Sequence, residues 1–186
     1  MKPSDLLIID VQVGIDDPAH GERSTPEAEE NMASLLAAWR SKGWPILHVQ
    51  HNSVEPDSPL RPGLPGHALK PEVQPLPDEP LFQKTTNSAF VGTDVEAYLR
   101  ERAVRSLVIM GLTTDHCVSA STRSASDLGF DVTVVADATA THERIGFDGK
   151  HFPAAVMHQV NLASLNEEFG RVRTTAELLR DLESVE

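Results

Sequence analysis

Cysteine is almost missing from this 186-residue chain, which has one, Cys117. A lone cysteine closes no intrachain disulfide, so a disulfide-stapled secreted scaffold is excluded and a reducing, cytoplasmic setting is expected. Positive charge is scarce as well. Sixteen Lys and Arg against 28 Asp and Glu leave a net charge of −12. That is the wrong sign for nucleic acid or an anionic membrane. No apolar run approaches the roughly 18 residues of a membrane span. The apolar start Leu6–Ile9 is bracketed by Asp5 and Asp10, which does not read as a signal peptide. No internal repeat is present. What remains is one domain over residues 1–186, long enough to bury a core unaided; the charge balance says nothing about a small-molecule substrate.

The apolar pattern is that of strands alternating with helices. Leu6–Ile9, Ile46–Val49, Leu107–Met110 and Val132–Val135 are short continuous apolar runs, the mark of strands buried on both faces. Between the first two, Met32, Leu35, Leu36 and Trp39 recur at helical spacing after Thr25–Pro26–Glu27 and before Gly43. The two strands flanking this helix should be parallel. Thr93 with Glu96, and Thr174 with Glu177, read as capping boxes. Val118, Thr122, Ala125 and Leu128 share a helical face closed by Gly129, Phe152 to Phe169 reads as a helix, and Val172 belongs to a short last strand. The expected fold is a three-layer α/β/α domain with a mostly parallel, roughly six-stranded sheet. Ser53 to Gln83 breaks the pattern with eight of the 13 prolines. A loop that long is expected to form a lid or an oligomer contact, or else to be disordered.

The cysteine stands where chemistry is usually placed. Leu107–Met110 runs into Gly111–Leu112–Thr113–Thr114–Asp115–His116–Cys117–Val118, which puts Cys117 in the first turn after a strand. Asp115 is a good N-cap residue, and the positive end of the following helix favours a thiolate at Cys117. Asp10 lies at the carboxyl end of the first strand, where open α/β sheets carry functional groups. Taken singly, Asp10 reads as a turn residue, Lys84 as a surface lysine and Cys117 as a small buried hydrophobe.

Together they form a pattern. Leu6–Asp10 with Gln12, Lys84 followed by Asn87–Ser88–Ala89–Phe90, Gly111 to Val118, and Asp137–Ala138–Thr139 resemble, in order and spacing, the isochorismatase-like cysteine hydrolases. The resemblance covers nearly the whole chain. It implies Cys117 as nucleophile, Asp10 as general acid/base and Lys84 as the third member of a triad. It implies a cis peptide between Leu112 and Thr113, with the N–H groups of Thr113 and Cys117 as an oxyanion hole. Gln12, His51, Asn87, Ser88 and His116 become candidates to line the substrate pocket, with specificity carried by the proline-rich loop and the residues after Asp137. Metal-binding nicotinamidases of the superfamily carry Asp-x-His after the second strand. Here that stretch is Gln50–His51–Asn52–Ser53, so neither a metal nor any other cofactor is expected. The resemblance also implies a homo-oligomer, at least a dimer. Cys117 favours amide or ureide hydrolysis over the vinyl-ether cleavage of relatives with glycine at that position. A retired hydrolase acting as a scaffold is the alternative of a different class. A redox sensor would need a resolving cysteine that this chain lacks.

Overall fold

The structure, a computed structural model, describes residues 4–183. Six strands form the central sheet: β1 (Asp5–Ile9), β2 (Ile46–His51), β3 (Leu81–Lys84), β4 (Ser106–Leu112), β5 (Asp131–Ala140) and, after a small hairpin, β8 (Arg171–Arg173). Their order is β3-β2-β1-β4-β5-β8, and every ladder is parallel. The helices α1 (Ala28–Lys42), α2 (Val95–Glu101), α3 (Ser119–Asp127), α4 (Ala154–Leu165) and α5 (Thr175–Glu183) alternate with them. The hairpin, β6 (Arg144–Ile145) with β7 (His151–Phe152), is antiparallel.

Alternation along the buried strands divides the core in two. Leu6 and Ile8 of β1 join Met32, Leu35, Leu36 and Trp39 of α1 and Leu178 and Leu182 of α5. Leu7 and Ile9 face the other way, against Val95 and Leu99 of α2, Ala125 of α3 and Leu165 of α4. The expected three-layer α/β/α architecture is therefore the observed one. Helix α1 ends at Gly43 with φ 64°, a left-handed conformation that costs glycine little.

Two local expectations need correction. Phe152 does not begin a helix: it pairs in the hairpin, Pro153 occupies the N-cap position, and α4 stops at Leu165, short of Phe169. Thr93 and Glu96 do not form a reciprocal box. The Thr93 hydroxyl donates to the Ala89 carbonyl, while Glu96 pairs along its own helix with Arg100. The box at Thr174 and Glu177 does form, with the Thr174 N–H donating to Glu177 at 2.8 Å and the Glu177 N–H to the Thr174 hydroxyl at 3.3 Å.

The proline-rich segment packs against its own chain. Val73 is fully buried. Lys70 Nζ lies 2.5 Å from Glu29 and 2.6 Å from Asp16, and Arg23 closes the cluster at 2.6 Å from Glu29 and 3.0 Å from Asp16. These four charges tie the segment and the chain around residues 16–23 to the first turn of α1.

Sheet order decides where the groups of interest meet. β1 lies between β2 and β4, so the order reverses beside it, and crevices in open α/β sheets open at the carboxyl ends of such strands. The backbone there is tight. The β4–β5 register shifts between Ile109 and Gly111, and Gly111 has φ 131°. A Cβ on Gly111 would lie 2.1 Å from the Ile9 carbonyl oxygen. Gly111→Ala is therefore expected to cost about 3 kcal/mol or more, from an unfavourable φ and a clash with rigid backbone. Urea unfolding measures it, and a loss below about 1 kcal/mol would contradict this account.

Candidate active site

Asp10 is the first residue past β1. Its backbone is left-handed (φ 51°), which turns its carboxylate away from the strand's path; its N–H donates to the Val49 carbonyl at 2.9 Å. Asp tolerates this conformation better than most residues. Lys84 closes the edge strand β3, and its side chain is fully buried. Lys84 Nζ stands 2.5 Å from Asp10 Oδ2, 3.3 Å from Cys117 Sγ and 3.3 Å from His51 Nδ1, and donates to the Thr86 carbonyl at 2.9 Å. Asp10 just past β1, Lys84 at the end of β3 and Cys117 in the turn after β4 thus meet in one cluster.

The turn that carries the cysteine differs from the expected helix start. Thr114–Val118 is one π-helical turn with Thr113 at its N-cap position, and α3 follows directly. Asp115 does not cap it. Its carboxylate accepts from the Thr113 hydroxyl at 2.9 Å, from the Thr141 hydroxyl, and from Arg144 Nε at 3.0 Å. The capping rule missed this because the better donors come from a distant segment. The Leu112–Thr113 peptide is cis. From behind, the Thr114 hydroxyl bonds to His158 Nδ1 on α4 at 2.9 Å.

Burial governs the charges. It raises the Asp10 carboxyl to about 6, with the Lys84 ammonium pulling the other way. It pushes the Cys117 thiol up to about 12, helped by the neighbouring Asp10 carboxylate and opposed by Lys84. Burial and the neighbouring carboxylate thus work against the thiolate expected at Cys117. Desolvation and an adjacent negative charge outweigh what one ammonium and one short turn offer. Burial and the nearby ammonium also hold His51 down to about 4, so its ring is neutral.

A cavity of about 430 Å³ opens over the cluster. Asp10, His51, Asn87, Thr113, His116 and Cys117 line it, with Asn87 Oδ1 3.8 Å from the sulfur. Gln12 and Ser88 do not, which corrects their assignment as pocket residues. Gln12 is fully buried, donating to the His51 and His67 carbonyls at 3.1 and 2.9 Å and accepting from the His51 N–H at 2.9 Å. It braces the carboxyl ends of β1 and β2. The Ser88 hydroxyl is engaged with Ser124 of α3 at 2.8 Å. Asp137 also points elsewhere, accepting from the N–H and hydroxyl of Thr175 at the start of α5.

The wall facing the cysteine was not read residue by residue. It is built by Ile15 and His20, by Pro59 and Leu60 of the proline-rich segment, and by His142 and Arg144 beyond β5. The alternation Ala140, His142, Arg144 was the available signal, since an extended chain sends every second side chain to one side. Arg144 fills the gap between the hairpin and Asp115.

The stretch after β2 does not fit a metal. His51 receives Lys84 on Nδ1 and bonds through its ring to Thr86, Gln50 donates to the His67 carbonyl at 2.8 Å, and His67 Nε2 is 2.7 Å from Asn52 Oδ1. Among the described residues no three His, Cys, Asp or Glu side chains are grouped to hold an ion, whereas a catalytic zinc takes about three protein ligands. No described helix is long and apolar enough to cross a membrane.

Comparison with known proteins agrees with this fold. The isochorismatase domain pattern matches residues 4–177. The isochorismatase family protein YrdC of Bacillus subtilis is 42% identical over 176 residues, 95% of this chain and 94% of its own length. A solved isochorismatase-family structure from Chromobacterium violaceum superposes with a TM-score of 0.95 at 43% identity, covering 100% of this chain and 96% of that one. Ureidoacrylate amidohydrolase RutB of Agrobacterium fabrum is 32% identical over 108 residues, 58% of this chain and 43% of its own length. Fold and matches together define a hydrolase of the three-layer α/β class. The chain belongs to the isochorismatase family.

Given the ligand geometry after β2, exhaustive dialysis against EDTA is expected to leave turnover unchanged. Activity that vanished on chelation and returned with zinc would contradict it.

Proposed function

We propose that this protein is a metal-independent cysteine amidohydrolase that cleaves a C–N bond of a small amide or ureide through a thioester on Cys117. The observation that carries the reading is the position of the Lys84 ammonium, 2.5 Å from Asp10 and 3.3 Å from the only sulfur nucleophile, beneath an open cavity. The named activity of the amidohydrolase relative is in keeping with it.

In the first half of the cycle Asp10 takes the thiol proton as the sulfur attacks the acyl carbon. The C=O π pair moves onto oxygen, and the N–H groups of Thr113 and Cys117 receive that charge as an oxyanion hole. As the carbonyl re-forms, the C–N bond breaks and Asp10 returns its proton to the leaving nitrogen, leaving a thioester. A water then gives a proton to Asp10 and adds to the thioester carbon. Collapse expels the sulfur, which regains the proton, and frees the acid. Lys84 keeps its proton throughout and stabilises sulfur and carboxylate alike. Burial opposes a free thiolate, so sulfur charge is expected to develop as the acyl carbon is attacked. Asn87, 3.8 Å from the sulfur, and His51 and His116, which line the same cavity, would orient the substrate, with Arg144 and Pro59–Leu60 as the far wall.

Ammonia release from a panel of small amides and ureides tests the reading. Cys117→Ala and Cys117→Ser should each lose at least about 10⁴-fold in kcat with the fold intact. Asp10→Asn and Lys84→Ala should also fall by orders of magnitude, with the double variant no worse than the weaker single, since the three groups act as a unit. More than a few per cent of activity in Cys117→Ala would end the covalent mechanism.

The raised Asp10 carboxyl sets the pH dependence. Asp10 must be ionised to accept the thiol proton, so kcat/KM is expected to fall about tenfold per pH unit below a midpoint near 6. A profile flat down to pH 4.5 would exclude Asp10 as the base.

A further inference from the structure

We propose that Asp115 is a positioning residue: clamped by Thr141 and Arg144, its carboxylate fixes Thr113 so that the Thr113 and Cys117 N–H groups converge on one point of the cavity. The inference rests on the thioester reading above and adds to it a residue outside the triad.

Asp115 takes no part in the thioester cycle, and its side chain is only 4% exposed. Four side chains nevertheless converge on its two oxygens. Oδ1 accepts from the Thr113 hydroxyl at 2.9 Å, from the Thr141 hydroxyl and from Arg144 Nη2 at 3.3 Å. Oδ2 accepts from Arg144 Nε at 3.0 Å and lies 3.5 Å from His116 Nε2. Burial pushes the Asp115 carboxyl up. The Thr141 hydroxyl, His116, Arg144 and the Thr113 hydroxyl together outweigh it and hold the group below its ordinary value. A carboxylate satisfied in this way moves only by breaking several charge-assisted bonds at once.

The clamp is mounted on fixed backbone. Thr141 is fully buried, its N–H donates to the Ser24 hydroxyl at 3.0 Å, and its carbonyl accepts from the Ser24 N–H at 2.8 Å. Arg144 donates to the Glu143 carbonyl at 3.1 Å and to the Thr141 hydroxyl at 3.4 Å. From this frame the carboxylate reaches Thr113, which lines the cavity beside Cys117. The Thr113 carbonyl accepts from the N–H groups of His116 and Val118 at 3.2 and 3.1 Å, one on each side of Cys117. Held at its hydroxyl and at its carbonyl, Thr113 has little freedom to swing its own N–H. No described backbone carbonyl takes that N–H. Asp115 itself does not line the cavity, so it acts through Thr113 and not on a substrate.

Acetaldehyde tests this without knowledge of the substrate. The Cys117 sulfur adds to its carbonyl carbon, the C=O π pair moves onto oxygen, and the thiol proton ends on that oxygen, giving a hemithioacetal. The new hydroxyl occupies the place of the oxyanion, and carbon-13 NMR of carbonyl-labelled acetaldehyde measures the adduct's Kd. A donor displaced by about 1 Å can cost about 100-fold, so Asp115→Asn and Thr113→Val should each weaken the adduct by about that factor. Thr113→Ser keeps the hydroxyl and should restore it. The control Arg171→Ala, which breaks the exposed pair with Asp131, should match the wild type. Iodoacetamide alkylates Cys117 at a saturated carbon and needs no oxyanion hole, so its rate should be the same in all of them. On any amide the wild type hydrolyses, Asp115→Asn should lower kcat about 100-fold with KM little changed. The pH midpoint near 6 should stay, because it belongs to Asp10.

An adduct of wild-type strength in Asp115→Asn and Thr113→Val overturns the proposal, even if urea unfolding shows both destabilised. Parallel losses of adduct and alkylation also overturn it, since they place the effect on the sulfur. Should Asp115→Asn fail to fold, the contrast between Thr113→Val and Thr113→Ser decides. A wild type that forms no adduct removes the oxyanion hole and the proposal together. Ammonia release that survives Cys117→Ala removes the thioester reading, while the adduct series still decides the role of Asp115.

Discussion

A carboxylate and an ammonium 2.5 Å apart, both withdrawn from water, are stable only in each other's company. Removing either partner of such a pair typically costs about 3–5 kcal/mol, because the survivor is left charged and unsolvated. The Asp10–Lys84 pair imposes this condition on the whole fold. Asp10 follows β1 and Lys84 ends β3, so β2 must lie between them in register for the pair to close. β4 must then flank β1 on its other side to bring Cys117 within reach of the same ammonium. Gly111, which leaves room for the Ile9 carbonyl, makes that approach possible.

The reading of the sequence succeeded where one side chain or one periodicity decided the outcome. The buried strands, the α1 face of Met32, Leu35, Leu36 and Trp39, and the Thr174–Glu177 box follow from local pattern, and each has its expected partners. The meeting of Asp10, Lys84 and Cys117 was legible for a different reason. Singly none of them stood out, and the family resemblance joined them; the parallel sheet then explains the meeting, since its carboxyl ends all emerge at one end.

The misreadings share a cause. Asp115 has the right type and place for an N-cap, but Thr141 and Arg144 offer it stronger partners from a segment remote in sequence. Gln12 looked available to a substrate, yet its amide is saturated by three backbone contacts from His51 and His67. Cys117 was expected as a thiolate because a turn dipole is visible in sequence while the depth of burial is not. Long-range partners and solvent exclusion are properties of the assembled fold, and no local rule carries them.

The protonated thiol also bears on how this protein ages. Peroxide and other oxidants attack the thiolate, so a cysteine held at about 12 offers them far less target than an ordinary one. The sulfinic and sulfonic products of over-oxidation are irreversible for most proteins, and a chain with one cysteine has no second thiol to rescue it as a disulfide. Holding the proton until a substrate arrives therefore protects the only sulfur nucleophile the chain possesses.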